Sequence, residues 1–187
     1  MADDKKGWLQ IGVWGDSLVH GGIDGEKGGW VSRLKLHLMA NGLGDHCFSL
    51  GIGGQSSSEV LDRIPVELKA RREHVDHVIV SVGLNDLLNK PKIVSPEKFA
   101  DNLRKIVRII HRSGKRAWIL SMTPCDRTEA ANWRVMVDIS KKVAIEEKAD
   151  WIDMSAAFPN SDLVDGVHPG PAGHEKMFRL VLEALNS

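Results

Sequence analysis

The chain is expected to fold as an α/β protein, a mainly parallel five-stranded sheet with helices on both faces. Three observations predict it. Short apolar runs alternate with longer amphipathic ones from end to end, the pattern of strands joined by crossover helices. The run 75–82 holds Val75, Val78, Ile79, Val80 and Val82, and so continuous an apolar stretch suits a parallel strand covered on both sides. No linker, repeat or low-complexity tract interrupts the 187 residues, so residues 1–187 read as a single domain.

Each element carries its own signal. Leu9, Ile11 and Val13 open a strand that Gly15 ends. Gly28 and Gly29 lead into a helix with Trp30, Val31, Leu34 and Leu38 on one face, stopped by Asn41-Gly42. Cys47 to Leu50 is a second strand, closed by the loop Gly51-Ile52-Gly53-Gly54. Ser56 to Ser58 can cap a helix carrying Val60, Leu61, Ile64 and Leu68, which Pro65 is expected to kink or divide. The Val-rich run 75–82 is the third strand. Ser95-Pro96 starts a helix with a capping hydroxyl and a proline at its first position. Phe99, Leu103, Ile106, Val107 and Ile110 follow at helical spacing, and Gly114 ends it. Residues 117–122 form the fourth strand, Val135, Ile139 and Val143 mark a further helix, and Trp151-Ile152 a short fifth strand. The last helix, from about Gly170, buries Met177, Leu180, Val181, Ala184 and Leu185.

Composition narrows the function. The hydrophobic share of 42% and charged share of 27% are those of a globular protein. A chain this long should bury roughly 70% of its unfolded surface, so it needs no metal or disulfide staple. Lys+Arg and Asp+Glu cancel at 25 each, which argues against electrostatic capture of nucleic acid. Cys47 and Cys125 fit neither a disulfide framework nor a metal spacing and read as inert thiols. Residues 1–6 lack the apolar core of a signal peptide and no apolar run approaches a membrane span, so the expected location is the cytoplasm, with a secreted form whose signal has been trimmed as the alternative. Oligomeric state leaves no readable mark.

Ligands of such sheets bind at the carboxyl ends of the strands. The first strand delivers Gly15-Asp16-Ser17-Leu18 there, the second Gly51-Ile52-Gly53-Gly54, and the third Gly83-Leu84-Asn85-Asp86. After the last strand comes Asp165-Gly166-Val167-His168-Pro169. Taken alone, each reads as an ordinary turn. Together, on one edge, they complement one another chemically. A serine hydroxyl is a weak nucleophile without a base beside it. His168 offers that base, since imidazole is the side chain that changes charge nearest neutral pH. Asp165, three residues earlier, is close enough in a turn to fix the imidazole tautomer. The Ser17 and Gly54 backbone N–H groups and the Asn85 amide could serve a developing oxyanion. Those parts suit acyl-ester chemistry and need neither cofactor nor metal.

At these residues the chain resembles the SGNH hydrolases, also called the GDSL esterase/lipase family. The matching blocks appear in order from residue 15 to residue 169. By resemblance Ser17 is the nucleophile, Gly54 and Asn85 are oxyanion donors, and Asp165 and His168 form the family's DxxH pair. The second block departs from the pattern. Ser49 stands where Asn is frequent, and Gln55 where an acidic residue is frequent after the glycine. The resemblance implies a flavodoxin-like three-layer α/β/α sandwich and a metal-free esterase, thioesterase or lysophospholipase acting on a small-molecule ester. The larger α/β-hydrolase fold is disfavoured, because G-x-S-x-G is absent around Ser17.

Other residues have competing readings. His20 reads as a surface group or a substrate contact. His174 lacks the partners of a metal pair. Trp14 is expected to pack in the sheet. The stretch 124–134 is an ordinary loop or a lid and acyl-chain wall. The basic clusters 111–116 and 69–72 read as solvated turns on the opposite edge. The alternative to a hydrolase is a non-catalytic module holding a small anion on the loop 51–54, a reading that gives the Asp165–His168 pair no role.

Overall fold

The computed structural model describes residues 9–127, 132–155 and 162–187. Five strands form one sheet: β1 (Ile11–Gly15), β2 (Cys47–Gly51), β3 (His77–Ser81), β4 (Arg116–Leu120) and β5 (Asp150–Ile152). Their order is β2-β1-β3-β4-β5, and every pairing is parallel. The helices are α1 (Ser17–His20), α2 (Gly29–Ala40), α3 (Ser57–Ala70), α4 (Leu84–Leu88), α5 (Pro96–Arg112), α6 (Trp133–Glu147) and α7 (Pro171–Leu185), with a 3₁₀ turn at Lys90–Lys92.

The strand period of two sorts side chains between two cores. Ile11 and Val13 of β1, Ile79 of β3, and Trp118 and Leu120 of β4 face α2 and α7. Trp14, Val78, Val80, Ala117 and Ile119 face the opposite side, covered by α3, α5 and α6. Side chains such as Trp14, Trp30, Leu34 and Ile106 are fully buried, each contributing about 1.5–3 kcal/mol by leaving water. Helices on both faces of a parallel sheet make the three-layer sandwich. Strand order reverses between β1 and β3, and the connections leaving them diverge to opposite faces. A crevice therefore opens at their carboxyl ends.

Three local expectations change. The first strand begins at Ile11, because the Leu9 N–H is taken by the Leu43 carbonyl at 2.6 Å. Pro65 does not divide α3, which runs through it as one element. Pro65 is exposed, so the carbonyl it cannot serve faces a solvated side. The single-turn helices α1 and α4 are additions, too short to show helical periodicity. By contrast, Ser95 caps α5 as its sequence indicates, its Oγ accepting from the Lys98 N–H at 3.2 Å, with Pro96 next. Among the described residues, no helix is long and apolar enough to cross a membrane.

Candidate active site

Ser17 sits where β1 gives way to α1. Asp16 caps that helix, its Oδ1 accepting the Leu18 N–H at 3.0 Å. As the first helical residue, Ser17 has no intrahelical acceptor for its own N–H. Its Oγ points to the imidazole of His168, at 2.8 Å from Nε2. Glycine is required beneath this turn: a Cβ on Gly51 would stand 2.3 Å from the His20 backbone nitrogen.

His168 is carried by a loop closed at its base. Leu163 bridges Pro169, and the Val164 N–H donates to the His168 carbonyl at 2.8 Å. Inside the loop, Asp165 Oδ1 accepts the N–H groups of His168 (2.8 Å) and Val167 (3.1 Å). Its Oδ2 meets His168 Nδ1 at 2.8 Å. Partial burial works against ionisation of Asp165, but those N–H donors and the ring outweigh it and hold the carboxyl down to about 2. An ionised carboxylate can only accept, so Nδ1 carries the proton and Nε2 is left to accept from Ser17.

Gly54 and Asn85 line the same cleft as Ser17 and His168. Gly54 has φ +77, a left-handed conformation that costs other residues about 1–2 kcal/mol. Asn85 belongs to α4, its Nδ2 donating to Asp16 Oδ2 and to the Gln55 carbonyl, each at 3.1 Å. Burial pushes the Asp16 carboxyl up to about 6 against the pull of the Leu18 N–H and the Asn85 amide. Next to Asn85, the fully buried Asp86 accepts from Ser57 N (2.9 Å) and Ser57 Oγ (2.5 Å), anchoring α4 on α3.

Two basic residues that sequence reasoning missed hold the second loop. The guanidinium of Arg63 donates to Gln55 Oε1 (2.7 Å), Glu67 Oε2 (2.6 Å) and the carbonyls of Gly15 (3.1 Å) and Leu50 (2.6 Å). It thereby ties the ends of β1 and β2 to the residue after Gly54. Lys92 donates to the Gly54 carbonyl at 2.9 Å and to Glu59 at 2.8 Å. The only sequence signal for Arg63 is Glu67 four positions on, which reads as a solvated pair. The departures at Ser49 and Gln55 are accommodated: Ser49 Oγ donates to the Val19 carbonyl at 2.9 Å, and Gln55 is the acceptor Arg63 uses.

The remaining candidates sort themselves. His20 is exposed and does not line the cleft. His174 is fully buried on α7, its Nδ1 accepting the Trp30 N–H at 3.3 Å. Among the described residues, no group of His, Cys, Asp and Glu could hold a metal. Trp14 is buried in the sheet as expected, with its Nε1 donating to Glu67 at 2.7 Å. Burial pushes the Cys47 thiol up to about 12 and Cys125 in the same direction, so neither is poised as a nucleophile. Of the stretch 124–134, Arg127 lines the cleft, while residues 128–131 lie outside the described residues.

The cleft measures about 650 Å³ and is walled by Leu84, Leu88, Pro91 and Val167 beside the polar groups above. A hydroxyl, an imidazole and a carboxylate stand in hydrogen-bonded series at the carboxyl edge of a parallel α/β/α sandwich. The chain belongs to the GDSL-like lipase/acylhydrolase family, whose model matches residues 13–176. The family supports ester hydrolysis as the activity. Solved structures agree on the fold. One is the acetylxylan esterase Axe2 of Geobacillus stearothermophilus, 21% identical with a TM-score of 0.82 over 98% of this chain and 97% of that one. Another is LAE5, an α/β hydrolase from the metagenome of Lake Arreo, 21% identical with a TM-score of 0.80 over 94% of each chain. No curated protein matches the chain significantly.

Proposed function

We propose that the chain is a single-domain serine hydrolase that cleaves carboxylic or thio esters through an acyl-enzyme on Ser17. The observation that carries this reading is the unbroken run from Ser17 Oγ to His168 Nε2 and from His168 Nδ1 to Asp165 Oδ2, each step 2.8 Å. Ser17 attacks the ester carbonyl while His168 Nε2 takes the hydroxyl proton. The proton passes to the departing alcohol or thiol as the carbon–oxygen or carbon–sulfur bond breaks. Water then gives up a proton to His168, attacks the acyl carbon and releases the acid, restoring Ser17. Asp165 stays ionised throughout and stabilises the imidazolium.

The oxyanion is assigned to Ser17 N–H, Gly54 N–H and Asn85 Nδ2. Neither backbone N–H has an acceptor among the described residues, and Gly54 offers open space where a Cβ would otherwise stand. Both hydrogens of the Asn85 amide are engaged at rest, so an oxyanion would share one with the Gln55 carbonyl. Catalytic mutants of the Geobacillus esterase alter a serine, an aspartate and a histidine, the last two three positions apart. Asp165 and His168 have the same separation.

The test is hydrolysis of p-nitrophenyl esters from acetyl to palmitoyl, with Ser17→Ala as control and a fluorophosphonate probe alongside. Turnover and labelling that both vanish in a folded Ser17→Ala are expected, and the chain-length optimum reads the depth of the acyl site. Full activity in Ser17→Ala would end the mechanism. Absence of both turnover and labelling in the parent would favour a binding module instead.

A further inference from the structure

The cleft has a charge that the chain as a whole lacks. The formal net charge of the protein is zero, yet two exposed cations, Lys90 and Arg127, line the cleft. Neither forms an ion pair among the described residues, unlike nearby Lys92, which is bound to Glu59. Of the described cleft-lining residues only Asp16 is acidic. It is 2% exposed, and its two oxygens are taken by the Leu18 N–H and the Asn85 amide. Asp165 is committed to the His168 ring and backbone. Asp126 stands next to Arg127 in the chain but does not line the cleft.

The two cations also come from different segments of the fold. Lys90 opens the 3₁₀ turn just after α4, the helix that carries Asn85. Arg127 follows β4 on a segment whose Asp126 N–H donates to the Gly166 carbonyl at 2.8 Å, inside the loop that carries Asp165 and His168. A neutral ester leaves both charges without a partner among the described residues. An ester with a permanent anionic group gains from both, while Leu84, Leu88, Pro91 and Val167 accept its apolar part.

We propose that the natural substrate is an anionic ester, bearing a carboxylate, phosphoryl or sulfuryl group away from the scissile bond, and that Lys90 and Arg127 determine this specificity. The inference rests on the ester-hydrolase reading above. Because these contacts are equally present before and during the reaction, the preference should appear in KM more than in kcat.

The experiment compares matched esters, each rate normalised to that ester's spontaneous hydrolysis. The p-acetoxybenzoate and p-acetoxybenzamide pair places the charge on the alcohol side. The mono-p-nitrophenyl glutarate and p-nitrophenyl valerate pair places it on the acyl side, and p-acetoxyphenyl phosphate tests a phosphoryl group. In at least one arm, kcat/KM at low salt should favour the anion by about 2–30-fold, the product of two exposed ion pairs. That ratio should fall toward one in about 0.5 M salt and in the double variant Lys90→Gln/Arg127→Gln, and invert in Lys90→Glu/Arg127→Glu. Lys98→Gln, on α5 away from the cleft, should leave it unchanged. Ser17-dependent turnover with no anion preference in any arm would overturn the specificity while leaving the hydrolase intact. Absence of turnover on every ester, with Ser17 unlabelled by fluorophosphonate, would overturn both.

Discussion

Replacing Arg63 by Met should loosen the catalytic edge while leaving the residues assigned to chemistry in place. The Arg63 side chain is 13% exposed and Met keeps most of its aliphatic volume, so the change removes mainly four hydrogen bonds. Three acceptors keep another donor: the Gly15 carbonyl retains the Ile52 N–H at 3.1 Å, Glu67 retains Trp14 Nε1 at 2.7 Å, and the Leu50 carbonyl retains the Gly15 N–H of the β1–β2 ladder. Only Gln55 Oε1 is left with no other donor among the described residues. Charge-assisted bonds contribute about 1.5–3 kcal/mol each, and with three of the four acceptors still served the net loss should be about 2–4 kcal/mol. For a chain of this size that lowers Tm by about 5–15 °C. Thermal and urea unfolding followed by circular dichroism would measure it. Measured well below the new Tm, kcat on p-nitrophenyl acetate should fall about tenfold, because Gln55 directly follows Gly54. Arg63→Lys should recover little of either, since an ammonium cannot span four acceptors as a planar fork does. A Tm within about 2 °C of the parent, together with unchanged kcat, would refute the reasoning.

Other outcomes follow from the same geometry. Asn85→Ala should lower kcat about 10²-fold, near the low end for losing one oxyanion donor, because its amide is shared at rest; a change under about threefold would remove Asn85 from that role. Asp165→Asn should lower kcat by about 10³–10⁴ while binding is kept, since an amide can donate to Nδ1 and impose the wrong tautomer; steady-state kinetics with a melt to establish folding decides it. Asp16→Asn tests the buried carboxyl. Its folded value of about 6 lies above the ordinary 3.8, so its neutral form stabilises the fold fully below about pH 4, and that contribution is lost as pH rises through 6. The stability of Asp16→Asn relative to the parent should therefore rise between pH 4 and 7, by at most about 3 kcal/mol. A flat difference in urea unfolding across that range would show that the carboxyl is not destabilised by burial.

The layout of the site was more legible in the sequence than the framework holding it. Strands such as 75–82 announce themselves by local composition, and the rule that ligands gather at carboxyl ends then places Ser17, Gly54, Asn85 and the Asp165–His168 loop on one edge. Each step needs only short-range pattern and topology. The contacts made by Arg63 and Lys92 depend on partners from separate elements, and their chemistry resembles that of any solvated helix or turn cation. The exchange between Asp16 and Asn85 was equally hidden, because it joins two strand ends across the crevice. That Pro65 would not divide α3 was hidden for a related reason: its cost to a helix depends on whether the freed carbonyl meets water, and exposure is a property of the fold rather than of the dipeptide.

The Ser17 hydroxyl and the His168 imidazole that meets it are 151 positions apart in the chain, one just after the opening strand and the other just before α7. During synthesis, Ser17 therefore leaves the ribosome long before His168 is made. Until the loop carrying His168 closes and α7 docks beside α2, Ser17 has no base and is an ordinary alcohol. On the proposed mechanism, hydrolytic power arises only with completion of the sandwich. A growing, clipped or misfolded chain is chemically silent toward the esters around it, and activity itself becomes a report that the first and last elements have found each other.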